Sequence, residues 1–108
     1  MRPKHFYCEV YRMNFYYCLG WTQGEIEKYM KDRHKIDTTF DRVQGRVMFN
    51  KEEAIVVIWT RKKSDINSLV HECVHAASFT LESRGVLISH LNDEAMAYLV
   101  EAIFRKAA

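Results

Sequence analysis

The residues with the clearest capacity for chemistry lie within the segment 70–76. His71, Glu72 and His75 form the pattern H-E-x-x-H. If this segment is helical, two histidines four residues apart share one face and can bind a single metal ion. Glu72 projects beside them, where a carboxylate can hold a water molecule. Catalytic zinc takes three protein ligands and keeps a fourth position open, so the pattern predicts a zinc site that needs one more ligand.

Glu94 is the candidate for that third ligand, with residues 76–93 between it and His75. It can reach the pair if the motif helix ends near residues 80–83 and the last helix begins near Ser89 or His90. Asp93 is the competing carboxylate, because it is adjacent and its side chain points about a quarter-turn away on a helix. If Glu94 is the ligand, we expect Asp93 to cap the helix or to support a ligand histidine.

This arrangement, H-E-x-x-H-x18-E, resembles the zincin metallopeptidases, and the spacing to Glu94 resembles their gluzincin branch. The run 94–99, Glu-Ala-Met-Ala-Tyr-Leu, is also loosely similar to the third-ligand helix of ImmA/IrrE-type peptidases, with the small residue at Ala97. The resemblance covers roughly the last third of the chain. It implies a single minimal zincin-like domain over residues 1–108, zinc bound by His71, His75 and Glu94, and a phage or prophage accessory protein.

The resemblance also implies a mechanism. Glu72 would act as the general base in hydrolysis of a peptide bond. Tyr98, one turn after Glu94, or His90, just before the last helix, would donate a hydrogen bond to the developing oxyanion. Packing in the core is the alternative role for Tyr98, and a plain loop position is the alternative for His90. In zincins an edge strand binds the substrate as an extended polypeptide, and we expect Ala54–Thr60 to be that strand.

Composition limits the other possibilities. The chain of 108 residues is 48% hydrophobic and 28% charged, as in an ordinary globular domain. Its net charge of +2 is too small to predict a nucleic-acid surface. The longest apolar run, 54–59, is too short to span a membrane, and no signal peptide is visible at the N-terminus. Three cysteines do not suit a secreted disulfide framework, which favours the cytoplasm.

The periodicity of apolar residues predicts the order β-β-α-β-β-α-α, an α+β fold with a small antiparallel sheet of about four strands and three helices. A hairpin turn near Met13 would place Cys8 opposite Cys18, and packing is favoured there over a redox pair. Thr22 and Glu25 predict a capping box. The predicted elements are residues 6–11, 15–19, 22–34, 42–49, 54–60, a motif helix from a cap at 64 or 65 to an end within 80–83, and a last helix from 91 or 92 to 106.

Two other functions compete with a peptidase. The same fold could serve as a non-catalytic module that holds a protein partner through the aromatic hairpin or through strand 54–60. A small interaction protein with a fortuitous H-E-x-x-H motif is the third possibility, because the motif is short. Oligomeric state and natural substrate cannot be inferred from the sequence.

Overall fold

The computed structural model describes residues 2–91 and 93–108. The elements follow the predicted order, and four strands with three helices confirm the α+β class. The predicted helix start at Asn92 lies outside the described residues. The elements are β1 (Lys4–Cys8), β2 (Met13–Leu19), α1 (Gln23–His34), β3 (Gly45–Asn50), β4 (Ile55–Thr60), α2 (Ile66–Ser83) and α3 (Asp93–Ala107).

The four strands form one mixed sheet in the order β1-β2-β4-β3. The pairs β1–β2 and β3–β4 are antiparallel, whereas β2 and β4 run parallel. The prediction of an entirely antiparallel sheet was therefore wrong. After β2 the chain crosses over through α1 and turns at β3, so β4 enters beside β2 in the same direction.

Strand β4 lies inside the sheet, and β3 forms the edge on that side. The prediction that Ala54–Thr60 provides a free edge was therefore wrong. Most of β4 is buried, which agrees with the expectation that both of its faces are covered. A continuous apolar sequence fits an inner strand, because such a strand meets side chains on both faces and backbone partners on both sides.

The hairpin β1–β2 turns earlier than predicted. Cys8 pairs with Met13, so the turn comprises residues 9–12 and the predicted pairing of Cys8 with Cys18 was wrong. The two thiols lie on opposite faces of the sheet, in different core clusters. Both are free and buried, in keeping with the packing role. Burial raises the pKa of Cys18 to about 12.

Each face of the sheet has its own core. One face packs against α1, and the other against α2 and α3. On the α1 face the indole N–H of Trp59 donates to the carbonyl of Trp21 at 2.9 Å. On the other face the Tyr17 hydroxyl donates to the carbonyl of Ile103 at 2.7 Å. The larger buried side chains are Trp59, Phe40, Ile26 and Met30 on the α1 face, and Phe15, Met13, Ile58, Leu81 and Ile103 on the α2/α3 face.

Helix α2, which carries the motif, is fixed at both ends. Asp65 caps its start by accepting from the Ser68 N–H at 3.1 Å. At the other end the Arg84 guanidinium donates to the carbonyl of Tyr11 at 2.6 Å and to that of Arg12 at 2.8 Å. Gly85 then has a φ of 74°, a conformation that few other residues adopt. The sequence therefore both starts and ends this helix locally.

Helix α3 follows α2 and runs back along the same face of the sheet. Its second half contacts β2 through Tyr17 and β1 through Lys4. The Lys4 ammonium donates to the carbonyl of Ala108 at its C-terminus. Its first turn is acidic and its last turn basic, as the helix dipole favours. Among the described residues, no helix is long and apolar enough to cross a membrane.

Candidate metal site on the motif helix

The two motif histidines converge on the exposed side of α2. The Nε2 atoms of His71 and His75 are 3.1 Å apart, and their rings meet edge to face at 4.7 Å between centroids. Two nitrogens bound to one tetrahedral zinc at about 2.0–2.1 Å would lie about 3.3 Å apart. The same separation also suits a hydrogen bond between two neutral imidazoles. The pair therefore fits two ligands of one metal ion with little adjustment.

Glu72 turns towards the edge of the sheet and is largely buried. The residue is only 7% exposed, and no described residue gives its carboxylate a hydrogen bond or an ion pair. Among the described residues, every side-chain oxygen that is shut off from solvent has a hydrogen-bond partner. The Glu72 oxygens have no such partner, so they must be in contact with water. Burial raises the pKa of Glu72, and the two neighbouring histidines oppose that shift. Water is therefore the partner open to this carboxylate, and a raised pKa together with contact with water is typical of functional sites.

The neighbour of this carboxylate is Gly45 at the start of β3. A Cβ atom placed on Gly45 would lie 3.0 Å from both Cγ and Oε2 of Glu72. Glu72 therefore fills the space that a side chain at position 45 would take. Sequence analysis missed this contact, because one glycine in a short strand carries no signal of what lies beside it.

The outer edge of β3 is open for backbone pairing. The Arg61 N–H donates to the carbonyl of Gln44 at 2.8 Å, which sets the alternation of hydrogen bonds along the β3–β4 pair. By that alternation the backbone groups of Gly45, Val47 and Phe49 point away from β4. This open edge starts at the residue that touches Glu72.

An aromatic stack joins the same edge to the histidine pair. Phe79, one turn after His75, stacks on Phe49 of β3 at 5.3 Å and lies 6.4 Å from the His75 ring. Phe79 is 37% exposed. Its i+4 position relative to His75 was visible in the sequence, but its contact with Phe49 depends on which strand is the edge.

Cys73 lies within the motif but does not act as a nucleophile. It is fully buried against the sheet, and burial raises the pKa of its thiol to about 12. A thiol with so high a pKa stays protonated near neutral pH, and it is the thiolate that binds metals and attacks carbonyls.

The structure does not bring Glu94 to the histidine pair. Helix α3 begins at Asp93, later than the start near Ser89 that the predicted geometry needs. Glu94 lies about 13 Å before Ile103 along the helix axis. Glu94 therefore lies towards the end of α2 near Arg84, whereas His71 and His75 lie in the first half and at the middle of that helix. Within residues 2–91 and 93–108, no three His, Cys, Asp or Glu side chains are grouped to hold a metal ion.

The other predicted site residues also lie on the surface. Asp93 and Glu94 are exposed in the first turn of α3, and His90 is exposed in the connection before it. Tyr98 is 66% exposed, so it is not the core aromatic that we considered as its alternative role. The ligand role of Glu94 and the donor roles of Tyr98 and His90 stay predictions.

A broad depression of about 910 Å³ lies on the opposite, α1 side of the sheet. Tyr16, Trp21 and Tyr29 form its aromatic part. Charges of both signs surround it, including Asp32 and Arg33, so it favours no class of ligand. It lies far from the motif helix, and we do not assign the chemistry to it.

Comparison with known proteins gives no match. Neither a family model, nor a curated protein, nor a solved structure is similar to this chain.

Proposed function

We propose that this protein is a zinc-dependent peptidase of the cytoplasm that cleaves an extended polypeptide. The observation that carries the proposal is the 3.1 Å separation of the His71 and His75 Nε2 atoms beside a buried Glu72 without a protein partner. This grouping offers one metal ion two nitrogen ligands and places a carboxylate beside them, which is what metal-assisted hydrolysis needs.

His71 and His75 would hold the zinc through Nε2, with Glu94 as the proposed third ligand and Asp93 as its competitor. When bound, zinc polarises the substrate carbonyl and lowers the pKa of water, which are the two effects peptide hydrolysis needs most. For Glu94 to take part, the first turn of α3 must move towards the middle of α2. Residues 84–92 could span up to about 30 Å if extended, so chain length does not prevent that movement.

Glu72 would accept the proton of the attacking water and deliver it to the leaving nitrogen. A general base works best when its pKa lies near the working pH, and burial shifts the pKa of Glu72 upward from the usual range of a carboxyl. The absence of competing hydrogen bonds from described residues leaves both carboxylate oxygens available for this task.

The substrate would add as a further strand to β3. The outward backbone groups of Gly45, Val47 and Phe49 can pair with an extended chain, as in other cases of strand addition. This edge takes the place of strand 54–60, which the sequence had favoured. A polypeptide bound there would pass directly beside Glu72.

Tyr98 and His90 are the proposed donors to the oxyanion. Tyr98→Phe and His90→Ala separate the two, because loss of one such donor lowers kcat by about 10²–10³. The variant that leaves kcat unchanged excludes its residue, and unchanged kcat in both removes the donor assignment.

The first test is elemental analysis of purified, untagged protein together with cleavage of an unfolded protein substrate. We expect about one zinc per chain. We also expect cleavage that stops on chelation and returns when zinc is restored. Protein that binds no zinc at any practical concentration would overturn the proposal.

A non-catalytic binding module is the second candidate. The position of Glu94, exposed in the first turn of α3, supports it, because a site with only two protein ligands can bind metal without being set up for hydrolysis. Retained zinc with no cleavage of any unfolded substrate would support this alternative.

A further inference from the structure

We infer that Gly45 is the positioning residue for Glu72, and that its lack of a side chain sets the place on β3 where the carboxylate meets a bound polypeptide. This inference rests on the proposed function. Gly45 does not touch the reacting atoms in this scheme, and it acts only through Glu72.

The first argument is steric. A Cβ atom at position 45 would lie 3.0 Å from Glu72 Cγ, 3.0 Å from its Oε2 and 3.1 Å from the Trp59 carbonyl oxygen. All three distances are tighter than nine in ten real Cβ contacts. The Trp59 oxygen is backbone of the inner strand, whereas the Glu72 atoms belong to a flexible side chain, so Glu72 gives way more easily. A Cβ atom at position 45 therefore moves the carboxylate by a few tenths of an ångström.

The second argument concerns the substrate. By the alternation of hydrogen bonds in the β3–β4 pair, the N–H and C=O of Gly45 point to the open edge. The carboxylate thus lies at a residue whose own backbone can pair with a polypeptide. One position of β3 would then both admit the base and hold the substrate beside it.

Conformation does not explain the glycine. Gly45 is not among the residues with positive φ, so other amino acids could adopt its backbone shape. A β-branched residue would suit an extended edge strand better than glycine does. The space occupied by Glu72 is the feature of this position that requires a missing side chain.

The test uses Gly45→Ala and Gly45→Val, with Gly24→Ala in α1 as the matched control. A Cβ at Gly24 meets nothing within 4 Å. We expect kcat to fall by up to about 10-fold for alanine, whose Cβ moves Glu72 by a few tenths of an ångström. For the larger valine we expect a fall of about 10- to 100-fold, because a displacement of about 1 Å in a catalytic group has effects of that size. KM and zinc affinity should change by less than about threefold, since neither depends on the base. Gly24→Ala should match the wild type.

A second measurement does not depend on activity. The urea midpoint of zinc-free protein is compared for Gly45→Val in the wild-type background and in the Glu72→Ala background. If Gly45 and Glu72 share one space, the valine substitution lowers the midpoint less when the Glu72 side chain is absent. Equal shifts in the two backgrounds would overturn the inference.

The two proposals can fail separately. A wild-type protein that binds zinc but cleaves nothing removes the peptidase proposal, whereas the urea comparison still decides whether Gly45 positions Glu72. Conversely, an active wild type with an equally active Gly45→Val variant overturns the inference about Gly45 and leaves the peptidase in place.

Discussion

Two glutamates, one on each side of the sheet, have opposite surroundings. Glu27 in α1 accepts hydrogen bonds from the Phe40 N–H at 2.9 Å, the Gln23 amide at 3.0 Å and the Thr39 hydroxyl at 3.2 Å. The Phe40 bond is the largest cause of the lowered pKa of Glu27. Glu72 in α2 accepts none from the described residues, and burial raises its pKa.

The difference separates a structural carboxylate from one available for chemistry. The three bonds all go to Oε2 of Glu27 and hold the loop after α1 in place, so this oxygen already has a structural role. Glu72 is more buried yet uncommitted, and it lies beside two imidazoles and an open strand edge. Carboxylates whose pKa is raised by burial are concentrated at functional sites, which supports a chemical role for Glu72.

Of the substitutions that test this difference, removal of a motif histidine should have the largest effect. We expect His71→Ala to weaken zinc binding by more than about 100-fold, because loss of a direct ligand exceeds the 10- to 100-fold effect of an outer partner. Metal content and chelator competition measure this directly. Alanine in place of His5, which contacts Asn14 and Tyr16 instead, is the matched control. Full zinc affinity in the His71 variant would show that the ion binds elsewhere.

Glu72→Gln should lower kcat by about 10²–10⁴, the usual contribution of a general base. Zinc content should stay at the wild-type value, because Glu72 is not a proposed ligand. The corresponding change on the other side of the sheet, Glu27→Gln, should leave kcat unchanged. If the Glu72 variant cleaves at the wild-type rate, Glu72 is not the base.

Tyr17→Phe tests whether a buried hydrogen bond on the α2/α3 side of the sheet contributes to stability. Loss of the 2.7 Å bond to the Ile103 carbonyl should lower the free energy of unfolding by about 1 kcal/mol. Urea denaturation measures the change. An unchanged midpoint would mean that this bond contributes nothing. Hydrogen bonds on the α2/α3 side would then matter less than those on the α1 side, at Tyr17 as well as at Glu72.

Glu27 should produce the smallest effect, a contribution to stability that is present at neutral pH and disappears in acid. Because its folded-state pKa is lowered, its contribution to stability is present above the unfolded-state pKa and is lost as pH falls through the folded-state value. Urea midpoints measured from neutral pH down into the acid range should therefore fall less steeply for Glu27→Gln than for the wild type. Parallel curves for the two proteins would contradict a lowered pKa.

Local signals in the sequence were sufficient to predict the order of the helices and strands. The capping box of Thr22 and Glu25 starts α1 as predicted, with Glu25 accepting from the Thr22 N–H at 2.8 Å. Asp65 and Gly85 bound the motif helix. Helical spacing alone was enough to bring His71 and His75 together, because residues four apart on a helix are neighbours whatever the rest of the fold does.

Pairings between distant segments could not be predicted in this way. An antiparallel hairpin was expected for both strand pairs, but nothing local indicates that β4 inserts beside β2 and leaves β3 at the edge. The contact of Glu72 with Gly45 follows from that insertion. The position of Glu94 depends on the path of the chain between α2 and α3. The predicted start at Leu91 or Asn92 left that path open, because no local pattern determines it.

The fastening of α2 by Arg84 has a consequence for the N-terminal hairpin. The β1–β2 turn has no part in the proposed chemistry, yet its Tyr11 and Arg12 carbonyls hold one end of the motif helix. The hairpin thereby helps to fix where the motif helix ends, although it lies far from the histidines in the sequence. A change confined to this turn could alter the setting of the site while every residue proposed for catalysis stayed in place.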